Sequence, residues 1–96
     1  MHAVARSCAG PRPKELFDLL ERNKSPIEAL LRTVKGFTSY TMMRTGDGGM
    51  TFTVCQDKAS TDESVAVARD WIAKNGANIG AQPPQVTDGT VIMHLK

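Results

Sequence analysis

Gly36-Phe37-Thr38-Ser39-Tyr40-Thr41-Met42-Met43-Arg44, then Thr45-Gly46-Asp47-Gly48-Gly49, then Met50-Thr51-Phe52-Thr53-Val54-Cys55-Gln56-Asp57: this stretch decides the fold. Two runs rich in β-branched and aromatic residues flank a glycine-rich turn, which is the pattern of a hairpin. Asp47-Gly48 suits a type I′ turn, where both central residues take φ > 0. With those residues as the loop, Thr45 faces Met50, Met43 faces Phe52 and Thr41 faces Val54. On the other side Arg44 faces Thr51, Met42 faces Thr53 and Tyr40 faces Cys55. The first side, with Phe37, Met43, Phe52 and Val54, is apolar and is expected to lie under helices. The second, with Tyr40, Met42 and Cys55, is expected to face a partner sheet.

Before the hairpin lies a short, weakly apolar strand over residues 2–8, closed by Gly10-Pro11-Arg12-Pro13. Proline favours a first helical turn, so a helix is predicted over 13–22, with Leu16, Leu19 and Leu20 on one stripe and Phe17 at its edge. Ser25-Pro26-Ile27-Glu28 reads as a capping box with proline at N1. Ile27, Leu30, Leu31 and Val34 then keep the spacing of a one-faced helix, and Gly36 is placed to stop it.

After the hairpin, Ser60-Thr61-Asp62-Glu63 is a second capping-box pattern. A helix is predicted from about 61 to 74, or to Ile79 if it continues. Its stripe is Val65, Ala68 and Ile72, with Val67 and Trp71 beside it. Residues 80–84 form a proline-rich connection. A last strand is predicted over 86–95, with Val91, Met93 and Leu95 on one face and Thr90, Ile92 and His94 on the other.

The whole chain of 96 residues is enough for one domain with a modest core, residues 1–96. A formal net charge of +2 gives no electrostatic case for nucleic acid. No stretch is apolar for long enough to be a signal peptide or a membrane span, so a cytoplasmic setting is the expectation. The two cysteines, Cys8 and Cys55, form no metal-ligand pattern and are expected to be free thiols.

The element order is strand, helix pair, strand, strand, helix, strand. This is the α+β ferredoxin-like arrangement, β-α(α)-β-β-α-β. It predicts a four-stranded antiparallel sheet in the order 4-1-3-2 with helices on one face. Cys8 and Cys55 then end their strands at opposite ends of the sheet, too far apart to bridge. The uncovered face would expose an apolar patch, which a monomer rarely leaves wet. A homodimer packed sheet against sheet is the expectation.

Val34-Lys35-Gly36-Phe37-Thr38-Ser39-Tyr40, the turn Gly46-Asp47-Gly48-Gly49, the strand from Met50 to Cys55, Ala66-Val67-Ala68-Arg69-Asp70-Trp71-Ile72 and Pro83-Pro84 together carry a family likeness. The chain resembles the small antibiotic-biosynthesis-monooxygenase-like proteins of the dimeric α/β-barrel superfamily. The resemblance implies two sheets forming a barrel and a cavity in each subunit between sheet and helices. It implies a small aromatic or quinol-type ligand and, as one activity, oxygenation without metal or other cofactor. In that chemistry the substrate supplies the electrons, and the protein provides a dry pocket and stabilises an oxyanion. The alternative is a non-catalytic homodimeric module for structure or sensing, its cavity filled by side chains. Haem-degrading relatives place a histidine on the helix that here carries Trp71, and this chain has none there.

The catalytic candidates are Trp71, Asn75, Tyr40 and His94. Trp71 either donates its N–H into the cavity or packs the helix onto the sheet. Asn75, one turn later, either points the same way or ends the helix. Tyr40 is read as an interface residue unless the sheet faces are exchanged. His94 has the ordinary pKa of a general base but lies near the C-terminus. The expected pocket lining is Phe17, Phe37, Met43, Phe52, Trp71 and Met93.

Overall fold

The computed structural model describes residues 1–8, 13–46, 48–76 and 84–95, with the side chains of 13 and 14 left aside. The elements are β1 His2–Cys8, α1 Pro13–Arg22, α2 Lys24–Arg32, β2 Phe37–Arg44, β3 Gly49–Cys55, α3 Lys58–Asn75 and β4 Gln85–Thr90. They build one antiparallel sheet in the order β2-β3-β1-β4, which is the expected 4-1-3-2 read from the other edge. The ferredoxin-like arrangement is therefore present.

The hairpin is present but its register differs. Tyr40 pairs with Thr53, Met42 with Thr51 and Arg44 with Gly49. The connection spans 45–48, and the Thr45 N–H donates to the Gly48 carbonyl at 2.9 Å. A longer loop than Asp-Gly alone shifts each pair by an even step, so no side chain changes face. Asp47 itself lies outside the described residues.

The face assignment is corrected for every residue named except Phe37, which lies under the helices as expected. Thr51, Thr53 and Cys55 are buried beneath the helices, while Phe52 is 38% and Met43 44% exposed on the opposite face. Tyr40 and Met42 pack against the helical core, as does Phe37. Phe37 joins them because β2 carries a bulge between Phe37 and Ser39, with Phe37 paired to Cys55 and Ser39 to Val54. The extra residue turns Phe37 to the Tyr40 side, where strict alternation would place it with Met43.

Leu16, Phe17, Leu20, Ile27 and Leu31 form the buried cluster of α1 and α2. Phe17 is central to the α1 stripe, not its edge. The predicted capping box at Ser25 is not the start of α2. The helix begins at Lys24 after Asn23, whose side-chain amide donates to the Leu19 carbonyl at 2.8 Å. Pro26 still sits in the first turn, where a missing N–H costs nothing.

α3 also begins earlier than predicted. Asp57 is its cap, and its carboxylate accepts the Ser60 N–H at 2.8 Å. The inward face is rotated toward Thr61, Ser64 and Trp71. Thr61 and Ser64 are buried, and their hydroxyls are satisfied by the Lys58 and Thr61 carbonyls at 2.9 and 2.7 Å. The possible extension to Ile79 lies outside the described residues.

β4 ends at Thr90, five positions short of the predicted end at 95. Beyond it Ile92, Met93 and Leu95 are 98%, 75% and 83% exposed. β1 pairs with β4 from His2 opposite Thr90 to Ser7 opposite Gln85. Cys8 and Cys55 are free and lie at opposite ends of the β1–β3 pair, opposite Gly49 and His2 respectively.

Candidate functional site: the cavity between helices and sheet

The helices do not close fully onto the sheet. An inner cavity of about 250 Å³ remains, walled by Leu16, Phe17, Leu20, Leu31 and Ile72 and floored by Arg6, Cys8, Tyr40 and Thr51, with Trp71 from α3. Outside it a shallower cleft of about 730 Å³ runs between α1, α2 and β2. Phe17, Ile27, Leu31 and Tyr40 line both spaces and form the wall between them.

The floor is set by strand register. Arg6 on β1 lies opposite Thr51 on β3, and Tyr40 on β2 lies opposite Thr53, one pleat along. All three therefore rise from the same sheet face on adjacent strands. Burial pushes the Tyr40 phenol above its ordinary pKa, while Arg6 and a hydrogen bond with the Thr51 side chain pull it back. Burial likewise pushes the Cys8 thiol up, against the pull of Arg6. Both groups are thus neutral donors near neutral pH. The Arg6 guanidinium is lowered from its ordinary value, chiefly by desolvation. Its Nε is buried without a hydrogen-bond partner among the described residues.

Of the sequence-derived candidates, the structure brings together Tyr40, Trp71 and Phe17 at the inner cavity. Phe37 lines the outer cleft. Asn75 does not join them: its side-chain amide donates to the Trp71 carbonyl at 2.9 Å and so satisfies its own helix end. His94 is half-buried in the segment past β4 and does not line the cavity. Met43 and Phe52 lie on the opposite sheet face, and Met93 is exposed beyond β4, so none of the three lines it. The reason is the exchanged faces and the early end of β4.

Arg6 and Cys8 were missed by the sequence reading. A signal existed: along β1, His2, Val4, Arg6 and Cys8 are the larger side chains, while Ala3, Ala5 and Ser7 are small. Arg44, at the end of β2, is tied to α1 through Asp18 at 2.6 Å, which fixes one rim of the outer cleft. Among the described residues no cluster of His, Cys, Asp or Glu could hold a metal ion, and no helix is long and apolar enough to cross a membrane.

No protein-family model matches the chain, and no curated protein matches it. Solved structures do. The monooxygenase from the gene ActVA-Orf6 of Streptomyces coelicolor, in complex with nanaomycin D, is 18% identical with a TM-score of 0.65, over 99% of this chain and 89% of that one. SnoaB, a cofactor-independent oxygenase from Streptomyces nogalater, is 16% identical with a TM-score of 0.61, over 98% and 94%. A dimeric ferredoxin-like protein from an uncultured marine organism is 10% identical with a TM-score of 0.67, over 99% and 95%. At these identities the likeness is one of fold. It agrees with the resemblance carried by the sequence: this chain shares its ferredoxin-like fold with a monooxygenase, a cofactor-independent oxygenase and a dimeric ferredoxin-like protein.

Proposed function

We propose that the inner cavity binds a small planar aromatic molecule and that the protein is a cofactor-independent oxygenase of phenolic or quinol-type substrates. The observation that carries this reading is the cavity itself. It is open and largely apolar, and its polar groups are gathered on one floor: Arg6, Tyr40, Thr51 and Cys8. A space of about 250 Å³ suits one or two fused rings. The structural likeness to two oxygenases supports it.

The chemistry asks little of the chain. A ring methylene between electron-withdrawing carbonyl or aryl groups gives up a proton to solvent water, leaving a carbanion delocalised onto oxygen; the proton is taken back when the peroxide forms. That carbanion passes its electrons to dioxygen and forms a C–O bond, giving a hydroperoxide. Loss of water leaves a carbonyl, so CH₂ plus O₂ becomes C=O plus H₂O. Arg6 lowers the substrate's own pKa by stabilising the oxyanion, an effect that is strong in a desolvated site. Tyr40 and Cys8, both held protonated, act as donors. Trp71 presents a flat apolar wall and excludes water.

The test is oxygen uptake, with product analysis, over a panel of hydroxyquinones and quinols. Turnover that falls in Tyr40→Phe and in Trp71→Phe supports the proposal. Uptake with none of the panel removes the catalytic reading and favours a non-catalytic binding or sensing module.

We also propose that the far sheet face is covered by a second copy of the chain. Met43 and Phe52 are exposed on it, beside the half-buried Met50 and Val54. An apolar strand face open to water is an association surface. The dimeric state of a ferredoxin-like structural neighbour supports this.

A further inference from the structure

Arg6 stands in the middle of β1, with Thr51 as its cross-strand neighbour. It lines the inner cavity together with Arg69, which reaches the same space from the exposed side of α3. The lining contains these two guanidinium groups and, among the described residues, no carboxylate. The Arg6 Nε is buried and lacks an acceptor. A partly desolvated cation without a counter-charge is costly. Two guanidinium groups over one cavity whose described lining holds no carboxylate ask for an anion.

Which anion follows from guanidinium geometry and from the walls. The terminal Nη pair of a guanidinium forms a planar fork that matches two coplanar oxygens. The other walls, Leu16, Leu20 and Ile72 with the Trp71 ring, ask for an apolar, flat body. We propose that the inner cavity is a subsite for an aromatic carboxylate, its two oxygens held by the Arg6 guanidinium, its ring against Trp71, and Arg69 supplying positive charge at the mouth. This deepens the ligand-binding half of the preceding reading and is independent of the oxygen chemistry.

The experiment is isothermal titration calorimetry of the protein with 2-naphthoate and with 2-naphthamide, which has nearly the same shape and no charge. The expected result is that the carboxylate binds roughly tenfold tighter or more, as a charged hydrogen-bonded pair gives. In Arg6→Gln that ratio should fall close to one. If Arg6→Gln does not fold, Arg69→Gln on the exposed helix side serves, and the ratio should fall by a few-fold through lost positive potential.

Equal binding of acid and amide overturns the proposal. So does a ratio unchanged in the folded variant, or binding of neither compound. The two readings separate cleanly. Anion selectivity without oxygen uptake keeps this inference and removes the oxygenase. Oxygen uptake on neutral quinols without anion selectivity does the reverse.

Discussion

The tip of the Phe17 ring fills the space directly over the Cα of Gly49, so that a Cβ at Gly49 would overlap ring atoms Cζ, Cε1 and Cε2. This contact joins α1 to the start of β3. Phe17 is 2% exposed and forms part of the wall between the inner cavity and the outer cleft. The glycine that looked like turn chemistry in the sequence is thus also a packing requirement. Close approach of a ring to backbone needs a residue without a side chain.

Gly49→Ala should therefore destabilise the fold by about 1–3 kcal/mol, the usual cost of overpacking. Urea denaturation followed by circular dichroism measures it. Combining Gly49→Ala with Phe17→Leu should be less destabilising than the sum of the two single changes, since the overlap is removed. Additive losses would show that Phe17 and Gly49 are not coupled.

Tyr40 is the chain's only tyrosine, so phenolate absorbance reads it directly. Burial raises its pKa, so its titration midpoint should lie above the ordinary phenol value of about 10. Arg6→Gln should move it higher still, because Arg6 favours the phenolate. The sign for stability follows. The folded state holds the proton to higher pH than the unfolded chain. Stability is full below the unfolded phenol pKa and is lost as pH rises through the folded one. A midpoint at or below the ordinary value would place Tyr40 in water, away from the cavity floor.

Asp57 caps α3, and its pKa is lowered chiefly by the hydrogen bond from the Ser60 N–H. Asp57→Ala should lower Tm by a few degrees near neutral pH, and Asp57→Asn should lose less, because asparagine also caps. The gap between wild type and Asp57→Ala is full above the ordinary carboxylate pKa and should shrink as pH falls through the folded value. Equal Tm values for wild type and Asp57→Ala at neutral pH would mean that the helix start rests on packing alone.

Phe52 is exposed at the centre strand β3 on the far face. If a second copy covers that face, Phe52→Arg should weaken self-association by about tenfold or more, read by sedimentation velocity across a concentration series. Helical content by circular dichroism should stay the same, since Phe52 makes no part of the helical core. A wild-type chain that sediments as a monomer at micromolar concentration would refute the dimer.

Much of the architecture was legible in the residues. Strand-length β runs around a glycine-rich turn, proline at helix starts and one-faced leucine spacing located every element, and their order named the topology. The capping boxes at Ser25 and Ser60 misled by a few positions, because Ser, Asp and Asn near a helix start compete for the same role. Asp57 holds it for α3, and Asn23 precedes α2 without a side-chain capping bond. The candidate site was half legible. Tyr40, Trp71 and Phe17 were singled out and do meet at the cavity, whereas Arg6 was read only as part of a weakly apolar strand.

By itself the sequence determined the order of the elements, the hairpin, and, Phe37 apart, the separation of each strand's residues into two sets. Those depend on local periodicity and backbone preference, which each segment carries alone. Only the tertiary structure decided which set faces the helices. Both faces of β2 and β3 carry apolar side chains, so alternation cannot choose between them. The choice falls to packing: the bulge at Phe37 and Ser39, the ring of Phe17 over Gly49, and the larger side chains of β1 together turn Tyr40, Cys55 and Arg6 inward. That one decision moved Tyr40 from an expected interface to the floor of the cavity, beside a half-buried guanidinium that no periodicity could reveal.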